Sequence, residues 1–526
     1  MKKISYIILI FALALGIPNS GCKKFLNVEP LNKLSGNNFW TSEKDAESFA
    51  TDIHRLFRNA TMSSVLFAVG DERCAPIRGY SGANPYRHDF DYMAKNNLRL
   101  AIAARADGPP RILNLPNAQL LLEWFQNNAR YDLIPNWTPF FRVIQSCNIM
   151  YKEIDLIPKS EITDAKRNQY KAEAVFMRSM AYYFLVRLYG DVPYYKEAYQ
   201  QDAMPRTNMV NIFNDCVTEL KKVKDNLPWT YTDPANRGVR AMRGGALALM
   251  MHMNMWNAGF DPGNAKKYYE ETVAFGDEIH ELGVVKERAY RLLPIEQTYQ
   301  IMFGRSQEGL YEIQLSDNYG ESTARNRFKF SVGLVNQIFA PAISDRNYTE
   351  LTFYPAYMSK IYPETLTDKR KQVWFDANMY KTDGTAVFYK MFNKSATTQS
   401  SDDNPIVFRL ADTYLLQAEA LAELGTDDTK AAELLNKIRT RAGADLYPAD
   451  PGEGKLKDAI FWERCKELMG EGHYFYDLVR TKKILNPDYC YNPLTYSAFI
   501  AGAWTWPIDR AALTNNPYMT LNNYWQ

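Results

Sequence analysis

Apolar residues recur at helical spacing over two long stretches of the chain, roughly 136–283 and 405–485, and over a shorter one near 40–60. In the clearest case Met177, Met180, Ala181, Phe184, Leu185 and Leu188 fall at i, i+3, i+4, i+7, i+8 and i+11, which predicts a helix with one broad apolar stripe. Gly190-Asp191-Val192-Pro193 stops it, since proline cannot continue the hydrogen-bond ladder and glycine caps it. Ala411, Tyr414, Leu415, Ala418, Leu421 and Ala422 repeat the pattern and end at Gly425. Further helices are predicted over 137–157, 210–227, 241–257, 265–282, 429–441 and 456–469. They come in antiparallel-looking pairs with short polar connectors. Small residues (Ala172, Ala174, Ala181, Ala411, Ala418, Ala420) stand where helices would approach closely. The spacing is that of degenerate tetratricopeptide repeats, not of alternating strands and helices. The intervening stretches, about 65–135 and 285–404, show no helical period and are rich in aromatic residues.

The first residues follow a different rule. Met1-Lys2-Lys3 precedes an apolar run from Ile4 to Ile17, broken only by Ser5, Tyr6 and Gly16. That run is too short to span about 30 Å of hydrocarbon, so it reads as a secretory signal. Ser20-Gly21-Cys22 resembles a bacterial lipobox, which predicts a leader over 1–21, a diacylglycerol on the Cys22 sulfur and a tethered soluble body. Five cysteines remain: Cys74, Cys147, Cys216, Cys465 and Cys490. The number is odd and no pair is spaced C-x-x-C, so they read as buried fillers rather than a disulfide framework.

Composition narrows the function. The 526 residues are 46% hydrophobic and 23% charged, as in an ordinary globular protein. The 62 Lys and Arg exceed the 60 Asp and Glu by two, and Lys2 and Lys3 of the leader account for the excess. A neutral mature chain gives no footprint for nucleic acid. The 35 Tyr, 27 Phe and 10 Trp make 14% of the chain. Tyrosine outnumbering phenylalanine suggests rings with a wet edge.

Catalytic signatures are absent: there is no H-E-x-x-H, G-x-S-x-G or G-x-G-x-x-G. Gly452-Glu453-Gly454-Lys455 looks like the end of a phosphate loop, but Leu456 follows the lysine. His54, His88, His252, His280 and His473 share no metal-ligand spacing, and His252 reads as a satisfied core residue. No Asp-rich calcium loop occurs, and neither metal nor cofactor is expected.

A series of short motifs resembles the SusD/RagB family of Bacteroidota outer-membrane lipoproteins nearly end to end. It opens with Cys22-Lys23-Lys24-Phe25-Leu26-Asn27-Val28-Glu29-Pro30 and Asn38-Phe39-Trp40. It continues through Trp137…Phe141…Asn148, Ala174…Arg178…Ala181-Tyr182…Leu188-Tyr189-Gly190-Asp191-Val192-Pro193 and Glu312-Ile313-Gln314. It closes with Phe408-Arg409-Leu410-Ala411-Asp412, Glu463-Arg464…Glu467-Leu468…Glu471-Gly472…Asp477-Leu478…Arg480 and Trp506-Pro507-Ile508. The resemblance implies one mainly α domain over 22–526, a tetratricopeptide-like scaffold with irregular ligand-binding loops and a few short strands. It also implies a non-enzymatic lid, exposed outside the outer membrane, that passes oligosaccharides, or peptides in some members, to a SusC-like TonB-dependent transporter. A secreted glycoside hydrolase with two loop carboxylates is the rival from another class.

Glu463, Glu467 and Glu471 at i, i+4 and i+8 could form an acid–base pair or metal site. The competing expectation is a structural network with Arg178, Arg409, Arg464 and Arg480, joined by Asp412 and Glu419. For the ligand, Asp71-Glu72-Arg73-Cys74-Ala75-Pro76-Ile77-Arg78-Gly79-Tyr80 looks like the loop that gives sugar-binding relatives an acidic residue and an arginine. A carboxylate and a guanidinium can each engage two sugar hydroxyls, and Tyr80, Tyr86 and Tyr92 lie nearby for stacking. Alternatively Asp71 and Arg78 pair with each other to brace the loop. From 285–404, Tyr319 and Trp374 are the remaining candidates.

Overall fold

The computed structural model describes residues 39–62, 66–79, 88–106, 131–315, 351–381, 388–390, 404–449 and 453–526. Residues 1–21, Cys22, Tyr80, Tyr86 and Tyr319 lie outside these residues. The helices that build the scaffold are α1 (Glu43–Met62), α2 (Leu66–Glu72), α3 (Thr138–Glu153), α4 (Asp164–Tyr189), α5 (Met209–Val223), α6 (Arg243–Phe260), α7 (Ala265–Asp277), α8 (Leu410–Leu424), α9 (Asp428–Arg441), α10 (Leu456–Glu467), α11 (Tyr474–Arg480) and α12 (Tyr496–Ile500). Consecutive helices pack as pairs, α3 on α4, α6 on α7 and α8 on α9, and α8 bridges the two halves by lying against α7 and α10.

Local chemistry sets the ends of α4. The Thr163 side chain accepts a hydrogen bond from the Lys166 amide, and Gly190, at φ 73°, terminates the helix, a conformation costly for a residue with a Cβ. The interior differs from the predicted stripe: every residue from Ala172 to Tyr189 is buried. The helix is enclosed by α1, α3, α5 and α6, so even Glu173, Arg178 and Arg187 lie inside and need partners. Helix α8 is likewise buried from Leu410 to Ala422 and ends at Gly425 in the left-handed region, φ 64°.

The predicted helix over 265–282 becomes an α-helix to Asp277 followed by a π-helix over Glu278–Lys286. The wider turn delivers His280, whose ring stacks on Tyr414 at 3.8 Å between centroids and whose Nδ1 lies 2.8 Å from Gln417 Oε1. The stretches read as irregular contain short helices, at His88–Ala94, Leu98–Ala106, Pro355–Ile361 and Arg370–Val373. These have too few turns for an apolar period to stand out.

Four strands, β1 (Ile77–Gly79), β2 (Gly309–Glu312), β3 (Leu351–Phe353) and β4 (Ile406–Arg409), form two antiparallel pairs, β1 with β3 and β2 with β4. Ile77 faces Phe353 and Gly309 faces Arg409. The main core runs from Trp40 to Trp525, and a smaller cluster gathers Ile295, Tyr357, Tyr362, Trp374, Phe375 and Met469.

Candidate functional site

The three glutamates singled out by their spacing are buried but do not share one helix face. Helix α10 ends at Glu467, and Gly470 and Gly472, at φ 83° and 78°, turn the chain so that Glu471 returns to the same place. Arg409 is the hub. It donates from Nη1 to Glu467 Oε1 (2.7 Å) and Glu308 Oε1 (2.9 Å), and from Nε to Glu471 Oε2 (2.7 Å). Arg370, missed in the sequence, donates to Asp368 (2.7 Å), Glu463 (2.6 Å) and Glu467 (3.1 Å). Arg439 pairs with Glu453, Arg441 with Glu467, Lys390 with Glu471 and Lys466 with Glu463. Burial alone would raise these carboxyls, but Arg441, Arg409 and Arg370 hold Glu467 down to about 2, and Arg370 holds Glu463 low. Carboxylates that are fully ionised and already paired are poor proton shuttles at neutral pH; their geometry is that of a brace.

A second network joins α8 to α10 and α11. Arg464 donates to Asp412 Oδ1 (2.7 Å) and Asp477 Oδ2 (2.9 Å), and Arg480 donates to Glu419 Oε2 (2.7 Å) and Asp477 Oδ1 (2.8 Å). The other Asp412 oxygen lies 2.5 Å from His252 Nε2. The fold therefore brings His252, Asp412 and His473 together, their ligand-type atoms within 4.8 Å of one another, although their positions in the sequence share no spacing. Both oxygens of Asp412 are already engaged, by Arg464 and by His252. Arg178 departs from expectation: it donates to the Asn148 amide oxygen (2.8 Å) instead of a carboxylate. The carboxylate nearest it in the chain, Glu173, takes Arg240 (2.6 Å) and His54 (2.8 Å).

The loop carrying Asp71 and Arg78 is split by burial. Asp71 sits in the last turn of α2, 8% exposed, and accepts the Gly472 amide at 2.6 Å. Burial pushes its carboxyl up to about 7 against the opposing pull of that hydrogen bond and of Lys390. It is turned into the core against Gly472 and does not pair with Arg78. Glu72 and Arg73 also point inward: Glu72 accepts the Tyr131 hydroxyl (2.7 Å), and Arg73 donates to the Trp504 carbonyl (2.8 Å). The helical turn faces this D-E-R run into the core, and the chain reaches solvent only on β1.

Arg78 is exposed on β1. Its guanidinium lies 5.9 Å from the ring of Tyr354, which stacks on Tyr491 at 4.3 Å and 18° between planes. Tyr491 is 46% exposed. Backbone bonds fix the arrangement: the Tyr354 amide donates to the Pro76 carbonyl (2.9 Å) and Asn492 Nδ2 to the Ala75 carbonyl (3.1 Å). Neither Tyr354 nor Tyr491 was singled out for a ligand, because their segments carry no motif of their own and meet the Arg78 strand only in the fold. Trp374, a sequence candidate, is fully buried, with its indole Nε1 donating to Thr298 Oγ1 (3.2 Å). It has no open face for a sugar and belongs to the smaller core.

Comparison with known proteins places this architecture. A family model described as the SusD family matches residues 326–525, and one described as starch-binding, associating with the outer membrane, matches 115–251. SusD-like protein P38 of Formosa agariphila is 24% identical, with 99% of each chain covered. The crystal structure of a SusD homolog from Bacteroides thetaiotaomicron superposes with a TM-score of 0.79 at 39% identity, over 93% of this chain and 100% of that one. A laminarin-binding SusD-like protein shares the fold, with a TM-score of 0.64 at 19% identity over 92% of this chain and 99% of its own. The chain, with its helical-repeat scaffold and buried carboxylate–arginine braces, belongs to the SusD/RagB family of Bacteroidota outer-membrane-associated nutrient-binding proteins.

Proposed function

We propose that this protein is a lipid-anchored, outward-facing glycan-binding protein that captures an oligosaccharide on the Arg78–Tyr354–Tyr491 surface. It delivers the oligosaccharide to a SusC-like TonB-dependent transporter, over which it closes as a lid, and performs no covalent chemistry. The observation that carries the reading is the exposed guanidinium beside a stacked, half-open tyrosine pair. Pyranose C–H faces pack on such rings, while guanidinium and phenol groups take hydroxyls. Family membership and the laminarin-binding neighbour support the ligand class. Acylation of Cys22 supplies the tether in this reading.

The test is retention of the purified protein in native gels containing a panel of soluble polysaccharides, laminarin among them, followed by titration calorimetry on any that retard it. The wild type should be retarded by at least one. Tyr491→Ala and Arg78→Ala should each weaken that binding by about tenfold, the loss of roughly 1.4 kcal/mol of stacking or charge-assisted hydrogen bonding. No retardation by any polysaccharide, or equal binding by both variants, sinks the assignment. New reducing ends appearing with turnover would show a hydrolase instead.

A further inference from the structure

Three side chains with ligand chemistry converge inside the helical scaffold. His252 stands on α6, Asp412 in the first turn of α8 and His473 at the N-cap of α11. All three are buried, and one ligand-type atom of each lies within 4.8 Å of the others. Two of them are held in place. Asp412 Oδ1 accepts from Arg464 Nη1 (2.7 Å), Oδ2 lies 2.5 Å from His252 Nε2, and His252 Nδ1 lies 3.3 Å from the Tyr183 hydroxyl. His473 differs: it is 6% exposed, its ring lies 5.5 Å from that of His252, and its side chain makes no hydrogen bond among the described residues. A buried imidazole in that position has given up its bonds to water for nothing the protein supplies. Charge points the same way. The network around Asp412 sets three carboxylates, Asp412, Glu419 and Asp477, against two guanidiniums, Arg464 and Arg480. The negative charge left over is costly where water is scarce and favours a cation beside Asp412. A proton on His252 would serve, but it uses one imidazole and leaves His473 without a partner; a metal ion uses both.

We propose that His252, Asp412 and His473 bind a zinc ion that cross-braces α6, α8 and α11. Imidazole and carboxylate are ordinary zinc ligands, and three protein groups leave the fourth tetrahedral position to water. Ligand atoms about 2.0–2.1 Å from zinc stand roughly 3.3 Å from one another. The His252–Asp412 pair therefore opens from 2.5 Å as the ion takes the place of the proton between them, and the His473 nitrogen moves in from no more than 4.8 Å. Two bonds already on the far sides of the ligands stay as they are. Arg464 keeps Asp412 Oδ1, and the Tyr183 hydroxyl keeps His252 Nδ1, the outer contacts that orient metal ligands. The site shares no residue with the Arg78–Tyr354–Tyr491 surface, so it stands or falls apart from the glycan reading.

The test uses the full-length protein purified without a polyhistidine tag, stripped with chelator and dialysed against zinc chloride, with bound metal counted by plasma mass spectrometry. The wild type should hold one zinc per chain. His473→Ala should lose at least about a hundredfold in affinity, more than an outer hydrogen bond to a ligand is worth. Cobalt(II) in place of zinc should give the wild type the intense visible absorption of a four-coordinate ion, and His473→Ala only the faint colour of the hydrated ion. Zinc should raise the unfolding temperature of the wild type and leave that of the variant unchanged. Since the His473 side chain makes no hydrogen bond, the metal-free variant should keep the wild-type far-ultraviolet circular dichroism; if it does not fold, the wild-type stoichiometry and cobalt spectrum decide alone. No zinc on the wild type, equal zinc on both proteins (an adventitious ion only), or a six-coordinate cobalt spectrum overturns the proposal, and none of these results bears on glycan binding.

Discussion

Asp71 shows how burial can reverse the reading of a residue. In the sequence it stands seven positions before Arg78, in a pattern resembling a sugar-binding loop; in the fold it accepts a backbone amide from Gly472. Burial pushes its carboxyl up to about 7 from an ordinary 3.8, so the native state holds a proton that the unfolded chain releases. Stability should therefore fall as pH rises from about 4 to about 7 on its account. Asp71→Asn keeps the amide acceptor and removes the titration. Urea unfolding at pH 5 and pH 8 should show the wild type losing roughly 2–3 kcal/mol more than the variant across that interval. The carboxylates held low by arginines act in the opposite sense: Glu467, at about 2, stabilises the fold above its unfolded pKa and loses that contribution as pH drops toward 2. Arg78 and Tyr491 are the residues whose removal is expected to be silent in stability and visible in binding.

Among the elements, the braces between helices are the features most exposed to single changes. Arg409 meets Glu308, Glu467 and Glu471 where almost no water reaches. Arg409→Met should cost about 3–5 kcal/mol in urea unfolding, because it strands buried carboxylates. The exposed pair Lys266–Glu270, 3.8 Å apart, should change stability by less than about 0.5 kcal/mol when Lys266 is replaced by Ala. Helix α2 is seated against the Gly470–Gly472 turn so closely that a Cβ on Gly70 would fall 2.2 Å from the Gly472 carbonyl oxygen. Gly70→Ala should therefore cost at least about 2 kcal/mol by the same measurement, and loosen the segment leading to Arg78. Long helices such as α4 and α8 were legible in the sequence because many apolar turns repeat. The end of α10 was not, since the glutamate spacing continues through a turn that Gly470 and Gly472 bend back.

Over the whole molecule, the two ends of the described chain are held in one core. Trp40 and Phe57 near the start, and Trp504, Trp506 and Trp525 near the end, belong to the same buried cluster, and Arg73 donates to the carbonyls of Ala503 and Trp504. Deleting residues 503–526 removes those acceptors and three core tryptophans. The truncated chain should lose near-ultraviolet circular dichroism and gain binding of a hydrophobic dye, the signature of a collapsed but unpacked state. Retention of the native spectrum would show that the C-terminal segment is an accessory.

Repeated apolar spacing was enough by itself to determine the helical scaffold, because each helix must bury its face and the period records that need. Part of the braces was also visible, in Arg409, Asp412, Glu419, Glu463, Arg464, Glu467, Glu471 and Arg480, since charges placed among apolar helix positions require partners. Which partner each takes was decided only by the tertiary structure: Arg178 turned to Asn148, Arg370 entered the hub, and His252, Asp412 and His473 converged from distant positions. Of the surface proposed for the ligand, Arg78 was singled out in the sequence, and its meeting with the two tyrosines lies on that second side. Arg78, Tyr354 and Tyr491 meet because β1 pairs with β3 and the segment after Cys490 packs across both. Contacts of such sequence separation leave no local period or motif to read.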